Sequence, residues 1–127
     1  MEQWEIKDTS SFNRFLKVRT DLSNIENPIL LTITHKYNTS DDMLFPLPQT
    51  LAFVHGLEEH LLGEKNHLVY FASDIDNGTV HMYAYIHNPD NAINFCIEYC
   101  KKYPSYKIDF HLQNDPSHSL FSKLKDL

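Results

Sequence analysis

Val80, Met82, Ala84 and Ile86 alternate with His81, Tyr83, Tyr85 and His87, the clearest period-two pattern in the chain. Successive strand side chains point to opposite faces, so one set can bury while the other presents aromatic, hydrogen-bonding groups. An apolar run, His67 to Ile75, precedes it across Asn77-Gly78, the dipeptide that favours a two-residue hairpin turn. Residues 67–87 therefore predict a β-hairpin. Ile29–Tyr37 follows Pro28 and is rich in β-formers, which predicts a strand; Trp4–Lys7 and Arg14–Leu22 predict shorter ones.

Helical spacing takes over between these strands. Pro48 suits a first helical turn, and Leu51, Val54, Leu57, Leu61 and Leu62 form an apolar stripe with Glu58 and Glu59 off it, up to a cap at Gly63. Asn88-Pro89-Asp90 opens a second helix over 91–102, with Ile93, Cys96, Ile97 and Cys100 inward. Tyr106–Gln113 alternates once more, and Asp115-Pro116 starts a short helix over 117–124.

From residue 29 onward the order is strand, helix, strand, strand, helix, strand. The expected fold is α+β: one domain over residues 1–127, a ferredoxin-like split β-α-β antiparallel sheet with extra N-terminal strands and a short C-terminal helix. Two helices would cover one face. The other face, open or covered by the N-terminal strands, would carry His81, Tyr83, Tyr85, His87, Lys107, Asp109 and His111.

Composition narrows the partners. Seventeen Asp and Glu against eleven Lys and Arg give a net charge of −6. Nucleic-acid binders carry a basic footprint, so that class is disfavoured, and a basic protein such as a nuclease is the better electrostatic match. The first ten residues hold no secretory pattern, and no apolar run nears the roughly 20 residues that span a bilayer. A cytoplasmic protein without membrane contact is expected. Cys96 and Cys100, four apart on one helix, predict reduced thiols.

Catalytic and metal motifs fail on spacing. His55 and His60 lie five apart, about 140° round a helix, so they cannot face one ion. Asp74-Ile-Asp76-Asn-Gly78 falls one residue short of a calcium loop and predicts a turn. No CxxC, G-x-S-x-G or glycine-rich phosphate loop occurs. A non-enzymatic protein with no cofactor and no metal is expected. RNA binding or ribonuclease regulation is the first alternative, because aromatics on such strands can stack bases, and a small metal- or ligand-dependent enzyme is the second. The expected contact regions are the sheet row His81, Tyr83, Tyr85 and His87, with the loop acids Asp41 and Asp42.

Trp4, Arg19-Thr-Asp-Leu22, the His35 strand before Leu47-Pro48, the Glu58/Glu59 helix, Tyr103-Pro-Ser-Tyr106 and Asp115-Pro116 together resemble the small bacterial family called domain of unknown function 695. His118 stands where that family tends to carry an aromatic. The resemblance implies a ferredoxin-like fold without established catalysis or cofactor. It also implies likeness to ribonuclease regulators and to immunity proteins that neutralise toxins. It carries over no functional residue.

Overall fold

A computed structural model describes residues 2–9, 14–38, 46–64 and 66–127. Among the described residues, six strands and three helices run in the order β1 (Trp4–Lys7), β2 (Arg14–Arg19), β3 (Ile29–Lys36), α1 (Pro48–Leu62), β4 (Leu68–Asp76), β5 (Thr79–Ile86), α2 (Pro89–Cys100), β6 (Asp109–Asn114), α3 (Ser119–Lys125). The strands form one sheet, β1-β2-β4-β5-β3-β6, with every neighbouring pair antiparallel. The architecture is α+β, as the patterning predicts. The β4–β5 turn holds Asn77 at φ 43° and Gly78 at φ 93°, the left-handed backbone that this dipeptide tolerates.

Both long helices lie on one face. Phe53, Val54, Leu57 and Leu61 of α1, with Ala92 and Cys96 of α2, pack on Leu31, Ile33, Val80, Met82 and Ala84. Two details of the predicted helix stripes are corrected. Leu51 and Ile97 are exposed, whereas Glu58 is buried. Glu58 turns inward because polar partners wait there. Lys17 of β2 approaches its carboxylate at 2.9 Å, and the fully buried Tyr70 phenol donates to it. Lys17 also lies 4.7 Å above the Trp4 ring.

This cluster shows what the N-terminal strands do. They extend the sheet edge and do not cover its second face, a correction to one expected arrangement. Leu16 and Val18 point to the second face while Lys17 reaches Glu58 on the first, so β2 is held in the sheet plane from both sides. β4 has neighbours on both edges, which fits its nearly unbroken burial. A register shift between Tyr70 and Ala72 puts Tyr70 on the helical face and both Phe71 and Ala72 on the other. The Tyr70 carbonyl at this bulge accepts from the Arg19 guanidinium at 3.0 Å.

A smaller core fills the second face. Phe121 and Leu124 of α3 cover Leu16, Val18, Leu30, Phe71, Ala72 and Tyr85, with Leu22 and Ile25 of the 20–28 connection alongside. Because α3 has only seven residues, it seals one end of this face and leaves the other open.

Removing one partner of a buried ion pair costs more than replacing both with apolar groups. Glu58→Ala should therefore lower unfolding free energy by about 3 kcal/mol, and Glu58→Leu combined with Lys17→Met by clearly less. Urea unfolding followed by circular dichroism measures both. An unchanged midpoint for Glu58→Ala would show that the pair does not fasten the hairpin.

Candidate functional site

The register sets three cross-strand rows on the second face. The first runs Leu16, Asp74, His81, Thr34, Asp109; the next, Val18, Ala72, Tyr83, Thr32, His111. The third carries Tyr85, Leu30 and Gln113. α3 lies over the third row and over the β2 and β4 end of the second. What stays open is a polar, aromatic platform centred on His81 and Tyr83.

His81 and Tyr83 are both half-buried, and their rings stack at 6.1 Å. The His81 Nδ1 lies 3.1 Å from the Thr34 hydroxyl. Burial, reinforced by the Asp74 charge, pushes the Tyr83 phenol up to about 12, so it is a neutral donor at physiological pH. Between these strands and α3 runs a groove of about 370 Å³, lined by Leu30, Thr32, His81, Tyr83, Gln113, Asp115, Ser119, Leu120 and Lys123. Of the carboxylates on this face, Asp109 is exposed at the β6 end of the first row, whereas Asp74 and Asp115 are engaged. Asp74 receives the Arg14 guanidinium in a two-pronged contact at 2.8 and 3.0 Å.

Asp115 is held more tightly still. It accepts from the Tyr85 phenol at 2.6 Å, the Ser119 amide at 2.9 Å, the Ser119 hydroxyl at 2.7 Å and the Leu120 amide at 3.1 Å. Burial would raise its pKa, but these donors outweigh burial and hold it below the ordinary carboxylate range. Asp115 thereby caps α3 at a distance, with His118 between them at φ 56° and its Nε2 2.9 Å from the Asn27 carbonyl.

The predicted row does not act as a unit. Tyr85 is fully buried, stacked on Phe71 at 4.8 Å and crossed by His118 at 4.5 Å, so it is removed from the contact surface. Its cover is α3, which the sequence reading placed at the terminus without assigning it a face. His87 is exposed but lies past the end of β5. Asp41 and Asp42 lie outside the described residues. Of the predicted residues that are described, His81 and Tyr83 alone meet at one site. The pattern alone missed Arg14, Asp74, Thr32 and Ser119; the one available signal was Asp115-Pro116 followed by Ser119, an aspartate four residues ahead of a hydroxyl at a helix start.

Elsewhere, His55 sits on the surface 3.3 Å from Glu59, while His60 turns to the Phe95 carbonyl at 2.7 Å. Among the described residues, no three His, Cys, Asp or Glu side chains gather as a metal site. Burial, with the nearby Cys100, pushes the Cys96 thiol up to about 12, far from a reactive thiolate. No described helix is long and apolar enough to cross a membrane. No protein-family model, curated protein or solved structure matches the chain.

A carboxylate with a depressed folded pKa contributes stability that is present above its unfolded value near 3.9 and is lost as pH falls below it. Asp115→Asn should cost about 2 kcal/mol at neutral pH and flatten the acid limb of the stability profile below about pH 4. Tyr85→Phe should cost about 1 kcal/mol. Urea midpoints collected across that range provide the check. An acid limb as steep in Asp115→Asn as in the wild type would remove Asp115 from the explanation.

Proposed function

We propose that this chain is a non-enzymatic, acidic interaction protein that binds and restrains a basic protein partner of the toxin or nuclease kind, as immunity proteins do. The observation that carries this reading is the platform itself. His81 and Tyr83 are fixed by the sheet beneath them yet reachable from outside, while the carboxylates flanking them, Asp74 and Asp115, are already engaged by Arg14, Tyr85 and Ser119. A general base needs a free carboxylate or imidazole beside a reacting atom; a contact surface needs rigid aromatic area with satisfied neighbours. This platform has the second character.

Charge supports the choice of partner. Lys7, Arg14, Lys17 and Arg19 are each paired with a carboxylate, which leaves the net charge of −6 to the remaining residues. Acids such as Glu26, Glu64, Asp90, Glu98 and Asp109 remain at the surface, and their field would steer a cationic partner inward. The order β4-β5-β3-β6, with α1 and α2 as the crossovers, supports a ferredoxin-like reading of residues 29–114. The resemblance to domain of unknown function 695 supports a bacterial setting.

The test pairs capture with substitution. A stoichiometric basic protein should co-purify with the tagged wild type from its own cells at physiological salt. Tyr83→Ala should weaken that complex by about 2 kcal/mol or more, and His81→Ala by less, without lowering thermal stability in proportion. A partner retained equally by both variants would move the interface elsewhere. Repeated recovery of the chain alone, or binding to single-stranded RNA that collapses steeply with salt, would overturn the reading.

A further inference from the structure

The outer edge of β6 has a chemistry of its own, independent of the platform. The Asp115 amide donates to the Pro28 carbonyl at 2.9 Å, which fixes the alternation of the β3–β6 ladder. Gln113, His111 and Asp109 then turn their backbone groups toward β3, and Asn114, Leu112 and Phe110 turn theirs outward. Exposed edges are ordinarily guarded by lysine, proline, a bulge or shortness. β6 spans six residues, DFHLQN, without lysine or proline, and Leu112 is 40% exposed. The opposite edge, β1, has four residues and pairs with Arg19 through Trp4.

We propose that β6 pairs antiparallel with β6 of a second copy of this chain, about a two-fold axis through Phe110, and joins two sheets into one of twelve strands. The choice of occupant follows from self-complementarity. With Phe110 opposite its own copy, Ile108 faces the second copy's Leu112 on the helical side, and Asp109 faces the second copy's His111 on the other. Apolar meets apolar, and each carboxylate meets an imidazole, twice over by symmetry. Moving the axis to Leu112 would instead set Asp109 against the second copy's Asp115, and moving it to His111 would lose both carboxylate–imidazole pairs, so the Phe110 register is the one that matches opposite groups.

Sedimentation of the full chain over a wide concentration range should show a species approaching twice 14.9 kDa. Leu112→Pro removes an outward amide and no β3–β6 hydrogen bond, so it should weaken dimerisation by more than about tenfold while the circular dichroism spectrum is kept. His111→Asp, which places like charges opposite, should do the same. Adding Asp109→Lys to His111→Asp should restore the dimer, a rescue expected only of the proposed register. A monomer at every concentration, or a dimer indifferent to Leu112→Pro, would overturn edge pairing. Failure of the charge exchange to rescue would overturn the register.

Discussion

One carboxylate decides which part of the second sheet face is open. Asp115 gathers the Tyr85 phenol, two amides and the Ser119 hydroxyl, and so pins a seven-residue helix across the sheet. So short a helix is not stable alone and depends on its apolar contacts and its cap. Phe121 and Leu124 supply the contacts, and the cap sets where they land. Tyr85 is sealed because its hydroxyl is the cap's buried donor. Tyr83, two residues earlier on the same strand, lies at the margin of the cover and lines the groove.

The N-terminal hairpin is fastened on a different principle. Its bases reach four separate acceptors: Glu58 beneath the sheet, Asp74 above it, the Tyr70 carbonyl at the bulge, and the Lys125 carbonyl at the end of α3. These contacts join β1 and β2 to α1, β4 and α3, so the hairpin ties both faces together. Each of these bases also meets a carboxylate, so the pairs leave the chain's excess of acids as it was.

Two kinds of surface result. The platform on the second face offers fixed side chains, with His81 and Tyr83 braced by Thr34 and by the strand beneath. The β6 edge offers unpaired backbone, with specificity left to alternating side chains. A platform suits a partner whose surface is already shaped; an edge suits another strand. Pairing at the edge would set two platforms side by side on one continuous sheet.

Local patterning read the elements well because each depends on near neighbours. Alternation named β5, Asn77-Gly78 named its turn, and Pro48 and Pro89 marked two helix starts, with boundaries off by a few residues at β2, α2 and β6. The candidate site was legible only in part. His81 and Tyr83 share the open face that alternation predicts, whereas Tyr85 of the same face is buried under α3 and His87 lies past the end of β5. Periodicity leaves Glu58 off the apolar stripe, yet Lys17 and Tyr70, 41 and 12 residues away, draw it inward. Periodicity determines which side chains share a face, since that follows from the backbone's own repeat. Whether a face is wet or dry depends on what packs on it from far along the chain. Here Asp115, 30 residues beyond Tyr85, made that decision through a contact that only the folded chain brings together.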